Sequence, residues 1–223
     1  MNYQEVLQIL FENKNDQRAI FNTKIINSKI NNLGVSSSIV LDLSKKLANE
    51  RNDLLDFEIN KYHEINMIIS LTNVLRKDKT IEEKFQFLEQ YFQIVDNWAI
   101  VDSTISKFKI KKLDDIKKYI LKFHQSNYPF VRRACFVILL KFVNKENASF
   151  IKDLLNNDSD YYCFMAQAWL LSQFAIKGLK EDMISILENK DLSNKLINKG
   201  IAKACESYRV SDEDKLIYKS YRR

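Results

Sequence analysis

Four residues between positions 98 and 169 carry side chains that are suited to chemistry on a charged, flat ligand. Trp98 and Asp102 are four residues apart, so an α-helix places them on one face. Arg133, which follows Arg132, comes 35 residues after Trp98, and Trp169 comes 36 residues after Arg133. If structural repeats have this length, equivalent helices place these side chains along one concave strip of the surface.

A carboxylate, a guanidinium group and two indole rings in one strip favour a ligand site over a hydrophobic core, because charged groups bury poorly. Each side chain also has a more ordinary interpretation. Both tryptophans can pack in the core, and Asp102 with Arg133 can form an ion pair between repeats. The residue types and spacing leave these alternatives open.

A lysine-rich segment directly follows Asp102. Residues 107–122 contain seven lysines and two aspartates, a charge of +5 in a chain whose net charge is +6. Its first lysines are Lys107, Lys109, Lys111 and Lys112. Such a segment can neutralise several phosphates of a nucleic acid, and binding then falls steeply with salt. The alternative is a solvated helix face.

The elements that must position these side chains are predicted to be helices. Of 223 residues, 46% are apolar and 29% charged, but only three are Gly and one is Pro. Disordered and collagen-like chains have a different composition, and an all-β chain with many tight turns needs more glycine. The expected fold class is therefore all-α.

Polar residues that start helices recur through the second half of the chain. They stand at Asp96-Asn97, Ser126-Asn127, Asp158-Ser159 and Asp191, at intervals of 30 to 33 residues. The predicted inner helices cover 98–105, 130–143, 161–176 and 192–208, and second helices cover 113–124, 148–155 and 180–187. A repeat of this length predicts an α-solenoid, a curved superhelix with a concave groove, over one domain of residues 1–223. An irregular helical bundle is the alternative.

Local signals fix several helix ends. Ser36–Ser38 and Ser211 are predicted caps, Thr80 with Glu83 forms a capping-box pattern, and a longer helix is expected over 60–76. The last helix is expected to end at Arg222-Arg223. Three of the four breakers are assigned as follows: Gly34 to a positive-φ turn, Pro129 to a helix start, and Gly178 to the position just past a helix end.

Several kinds of site are not expected. Cys135, Cys163 and Cys205 lie far apart in apolar runs, which is typical of buried free thiols in a reducing compartment. His63 and His124 are isolated from one another and from the cysteines, so no zinc site is predicted. The longest apolar run has seven residues and Met1 opens no signal-peptide pattern, so no membrane partner is expected.

A larger set of motifs resembles one known family. They are Lys29–Val35, Tyr62–Met67, Val95–Asp102, Val131–Arg133, Tyr161-Tyr162 with Met165–Trp169, and Asn198–Arg209. In this order and spacing they resemble the AlkD-type DNA alkylation-repair proteins, which are built from HEAT-like helical repeats. The resemblance covers the chain from about Phe21. It is closest to a subgroup with a reduced or remodelled N-terminal recognition helix, and Ile25 stands where catalytic relatives carry an aromatic residue.

The resemblance implies hydrolysis of the N-glycosidic bond of N3- or N7-alkylated purines in DNA. It implies catalytic roles for Asp102 and Trp98, and nucleic-acid contacts for Arg133, Arg132 and Trp169 together with the first lysines of the lysine-rich segment. It also implies that no metal or organic cofactor takes part and that a lesion is engaged through the backbone without deep base flipping. A monomer in the bacterial cytosol, at most associated with the nucleoid, is expected.

Two other functions remain open from the sequence. The same strip could bind structured or damaged nucleic acid without catalysis, as the lysine-rich segment suggests. Alternatively, the helical repeats could bind a protein partner, which is a common function of such surfaces.

Overall fold

The computed structural model describes residues 1–223 and is all-helical, with 13 α-helices and no strand. This confirms the predicted fold class, and the helix pairs are consistent with an α-solenoid. The chain divides into two compact units, Met1–Ile110 and Lys111–Arg223, and each is described by itself. None of the helices is long and apolar enough to cross a membrane.

The first unit contains six α-helices. They are α1 (Tyr3–Glu12), α2 (Asp16–Ile26), α3 (Ser37–Asn49), α4 (His63–Leu75), α5 (Ile81–Tyr91) and α6 (Trp98–Lys107). Helix α4 is central, since it packs against α3, α5 and α6. Eleven of its thirteen residues are buried, and Thr72 Oγ1 donates a hydrogen bond to the carbonyl of Ser44 on α3.

The second unit repeats a pair of helices. A short 3₁₀ helix (Asp114–Ile116) leads into α7 (Lys117–His124), followed by α8 (Pro129–Leu139), α9 (Ala148–Asp153), α10 (Tyr161–Ile176), α11 (Lys180–Glu188), α12 (Asn194–Glu206) and α13 (Asp212–Ser220). Helices α8, α10 and α12 pack side by side, while α7, α11 and α13 each pack on one member of that row. This arrangement is the repeating helix pair that the periodicity predicts.

Most local helix signals are confirmed. Ser36, Asn97 and Ser211 accept hydrogen bonds from the first turns of α3, α6 and α13. Thr80 and Glu83 form the predicted capping box at the start of α5. These signals are local, because the capping side chain and its backbone partner lie within three residues of one another.

Three predicted caps were wrong by one or two residues, although α10 begins and ends at the predicted residues. The predicted ends of α8 and of the last helix were wrong by four and three residues. The first residues of α8, α10 and α12 are preceded by Tyr128, Asp160 and Ser193 rather than by the polar pairs further upstream. Asp158 does not cap α10 because its carboxylate binds the guanidinium of Arg132 and the N–H of Asp160. The last helix ends at Ser220, before the terminal arginines.

Gly34 is a position where only glycine fits. It has φ of +71°, and an added Cβ would lie 2.1 Å from the carbonyl oxygen of Asn15 and 2.6 Å from the amide nitrogen of Ala19. The turn therefore needs both the left-handed conformation and the absence of a side chain against the start of α2.

We expect Gly34→Ala to lower the free energy of unfolding by about 3 kcal/mol, from left-handed strain and overpacking together. Gly178→Ala is the matched control, because Gly178 has φ of +74° but nothing within 4 Å of an added Cβ. It should lose only about 1 kcal/mol, the strain contribution alone. Urea unfolding compares the two variants, and equal losses would show that the contact with α2 is unimportant.

Candidate functional site

Helix α6 presents the predicted catalytic pair at its N-terminal end. Trp98 is its first residue, and Asp102 lies one turn further; both side chains are half-buried. The opposite face of α6 is anchored by Ile100, Val101 and Ile105, which are fully buried. Asn97 caps the helix by accepting hydrogen bonds from the amides of residues 99 and 100 at 3.1 and 3.4 Å. The fixed helix start holds Trp98 and Asp102 in one orientation relative to the first unit.

A polar network holds the segment just before α6. The carboxylate of Asp96 accepts hydrogen bonds from Ser28 Oγ at 2.6 Å and from the amide of Lys29 at 3.0 Å. The other Asp96 oxygen accepts from Asn97 Nδ2 at 2.8 Å, and that nitrogen also lies 3.4 Å from His63 Nδ1. The start of α6 is therefore tied both to the end of α2 and to the start of α4.

Glu64 ties the neighbouring loop to α4. Its buried carboxylate accepts hydrogen bonds from the amides of Leu33 at 3.1 Å and Val35 at 3.2 Å, and the amide of His63 donates to the carbonyl of Asn31 at 2.8 Å. Burial raises the pKa of Glu64, and the amide donors partly oppose that shift. A carboxylate at the second position of α4 was the only sequence signal for this support, and sequence reasoning did not assign it a role.

The buried imidazole of His63, next to Asn97 at the start of α6, makes the stability of the folded protein sensitive to acid. Burial lowers the pKa of His63 from 6.5 to about 4, although nearby Asp96 acts in the opposite direction. Between these two pH values the unfolded chain binds a proton that the folded chain excludes, so stability falls as the pH falls. We expect the free energy of unfolding to drop by about 3 kcal/mol between pH 6.5 and 4 from this group.

Urea unfolding at a series of pH values measures that loss. His63→Gln should retain the acid sensitivity of the remaining carboxylates and lose the part contributed by the histidine. If the wild type and His63→Gln respond identically between pH 6.5 and 4, the folded protein accommodates a charged His63.

The two arginines of α8 have different surroundings. Arg132 forms a two-pronged ion pair with Asp158, with Nε–Oδ2 and Nη2–Oδ1 distances of 2.6 and 3.1 Å, and it also donates to the carbonyl of Ser126 at 2.9 Å. Arg133 is 6% exposed and donates from Nη1 to the carbonyl of Tyr162 at 2.7 Å. Both arginines thus fasten α8 to the segment that begins α10.

Trp169 is not a core residue. It is 39% exposed on α10, although its neighbours Ala168 and Leu170 are buried. Tyr161, at the start of the same helix, is 61% exposed. The face of α10 that carries Trp169 therefore offers an aromatic surface to solvent, as a residue that stacks on a ligand requires.

The predicted lysines are accessible. Lys107 is the last residue of α6, and Lys109, Lys111 and Lys112 follow it in exposed positions. Further along, Lys117 pairs with Asp114 at 2.7 Å. Exposed ammonium groups of this kind contribute to association with a polyanion but little to fold stability.

Ile25 lies in helix α2, whose surface is mostly open. Ile25 is 50% exposed, and Ile20 and Phe21 on the same helix are 60% and 62% exposed. Residues Asp16–Ile26 thus form a regular helix, held by the Asn15 cap and by Ile26, its one buried residue.

These features define an all-helical protein of paired helices, in which α6 carries Trp98 and Asp102, exposed lysines follow α6, and α10 carries an exposed indole. A model of the DNA alkylation repair enzyme family matches residues 6–204. The chain belongs to this family, which confirms the resemblance and indicates DNA as substrate or partner. No curated protein and no solved structure matches the chain.

Proposed function

We propose that this DNA alkylation repair-like protein is a DNA glycosylase that hydrolyses the N-glycosidic bond of N3- or N7-alkylated purines. The observation that carries the proposal is the placement of Asp102 one turn after Trp98, on a helix whose start is held by a buried polar network, in a chain of this family. The carboxylate of Asp102 is the proposed catalytic group, and Trp98 is its aromatic neighbour.

The chemistry of alkylated purines suits these two side chains. Such a base already carries a positive charge, so it leaves without a strong general acid. The sugar then develops positive charge, which a carboxylate and an electron-rich ring stabilise. A carboxylate about 4 Å from that charge contributes ~4 kcal/mol at an effective dielectric constant of 20, which is roughly a thousandfold in rate. Asp102 also orients the water that attacks the sugar.

Other residues have proposed roles in holding DNA. Trp169 offers an exposed ring for stacking, and Lys107 to Lys112 offer exposed charges for phosphates. Arg133 is proposed, on the family resemblance, to contact a DNA phosphate. Arg132 was predicted to contact nucleic acid too, but its pairing with Asp158 supports a role in positioning α8, so that its effect on DNA is indirect.

The test is the release of free bases from duplex DNA treated with a methylating agent. Release of 7-methylguanine or 3-methyladenine by the wild type, with its rate dependent on Asp102, supports the proposal. Absence of both bases after incubation with saturating protein would overturn it.

A second candidate is a DNA-binding protein without turnover. The exposed lysines after α6 favour it, because they account for binding independently of Asp102. In that case methylated DNA is bound, no base is released, and Asp102→Asn leaves the affinity unchanged.

A further inference from the structure

Within the first unit, a groove of about 690 Å³ gathers basic side chains from four separate segments. Its lining lysines are Lys45, Lys77, Lys84, Lys107 and Lys109. They come from α3, the residue pair after α4, α5, and the end of α6. The floor is apolar, with Leu41, Val74 and Leu75 among its residues, and no aspartate or glutamate lines it.

Two carboxylates next to the lining residues are engaged in ion pairs. Asp42 pairs with Lys45 at 2.9 Å, and Asp78 pairs with Arg76 at 2.6 Å. Arg76 also forms an ion pair with Asp53 at 3.0 Å, so its guanidinium is already paired with two carboxylates of the protein. Asp42 offsets the charge of Lys45, but no carboxylate is among the lining residues, so the groove keeps an excess of positive charge.

Helix dipoles explain only part of this arrangement. Lys45, Lys77 and Lys107 lie near the C-terminal ends of α3, α4 and α6, where a cation is stabilised by the helix. Lys84 is different, because it is the fourth residue of α5 and lies near the positive end of that helix. Burial lowers its pKa; the charge of Asp78 acts in the opposite direction, and neighbouring Lys79 adds to the lowering. An unfavourable position of this kind points to an anionic ligand.

The lysines favour an extended polyanion over a single small anion. Five ammonium groups exceed what one phosphate neutralises, and lysine acts as a point charge without the fork that selects one phosphate geometry. An apolar floor beside charges suits a strand whose phosphates alternate with sugars. We propose that this groove binds consecutive backbone phosphates of a DNA strand, so that DNA contact extends from α6 across the ends of α3, α4 and α5.

This inference rests on DNA as the ligand of the proposed function but not on base release. Lys107 and Lys109 were predicted from the sequence to contact nucleic acid; Lys45, Lys77 and Lys84 were not. The latter three therefore test the groove separately from the lysine-rich segment.

The experiment measures binding of a fluorescein-labelled, undamaged duplex by anisotropy between roughly 50 and 200 mM salt. The proteins are the full-length wild type, the triple variant Lys45→Ala/Lys77→Ala/Lys84→Ala, and a control triple, Lys145→Ala/Lys190→Ala/Lys219→Ala, at exposed positions of the second unit. Loss of three phosphate contacts should reduce the slope of log affinity against log salt by roughly 2 to 3, and the control should change it little.

Equal slopes for the wild type and the groove variant would overturn the proposal, and so would an equal reduction in the control. If pyrophosphate stabilises the wild type alone while the slopes are equal, the groove holds a small anion instead. Should the triple variant not fold, Lys77→Gln/Lys84→Gln gives the same comparison, with an expected reduction of roughly 2. If the groove variant lowers the slope but the wild type releases no base, the groove proposal stands and the glycosylase proposal fails. If the wild type releases base but the wild type and the groove variant have equal slopes, the glycosylase proposal stands and the groove proposal fails.

Discussion

Asp102→Asn should slow base release from methylated DNA by two to three orders of magnitude under single-turnover conditions. Asparagine keeps the size of the side chain and removes the charge that stabilises the sugar cation, a loss of ~4 kcal/mol at most. DNA binding should change little, since the carboxylate repels phosphates rather than attracting them. The measurement is the rate of 7-methylguanine release at saturating protein, with affinity measured separately.

A matched control is available in the same unit. Asp56→Asn removes an exposed carboxylate outside α6, and we expect it to release base at the wild-type rate. If Asp102→Asn matches Asp56→Asn in rate, Asp102 has no catalytic function, whatever the activity of the wild type.

Asp158→Ala should lower the free energy of unfolding of the second unit by about 3–5 kcal/mol. The side chains of Asp158 and Arg132 are 6% and 19% exposed, so removing the carboxylate leaves a nearly buried guanidinium without its partner. Burial is the largest single influence and opposes ionisation of Asp158, but the hydrogen bonds and charge of Arg132, together with the amide of Asp160, keep the pKa of the carboxyl below its ordinary value. The pair connects α8 to the segment that starts α10.

Urea unfolding with a double-mutant cycle tests this prediction. Arg132→Ala/Asp158→Ala should lose less stability than the sum of the single variants, because the second substitution removes the unpaired charge. Asp153→Ala, at an exposed aspartate of α9, serves as the control and should stay within 0.5 kcal/mol of the wild type, in the ordinary range of surface substitutions. Additive losses would mean that the ion pair contributes nothing beyond two separate contacts.

Features that depend on neighbouring residues could be predicted from the sequence. The bounds of α10, the capping box of α5 and the conformation of Gly34 all follow from side chains within a few positions of one another. The start of α10 shows the limit of this reasoning. Asp158 has a suitable side chain for a cap, but an arginine 26 residues away binds it, so Asp160 caps the helix instead.

The candidate site also has a part that could be predicted from the sequence and a part that could not. Trp98 and Asp102 could be placed on one helix face from their spacing, since that depends only on helix geometry. Their support could not, because Ser28, Glu64 and Asp96 act through contacts across 29 to 68 residues of sequence. The lysine groove could not be predicted either, because it joins residues from four segments and no single segment carries its charge pattern.

The most direct test of the glycosylase uses a duplex that contains one N7-methylguanine at a known position. Incubation with saturating protein should give free 7-methylguanine, detected by mass spectrometry, and an equal amount of strand that breaks at that position in alkali. Asp102→Asn should bind the same duplex and yield both products at least a hundredfold more slowly. If the wild type binds the duplex and yields neither product, the protein recognises DNA without excising the base and the central proposal is wrong.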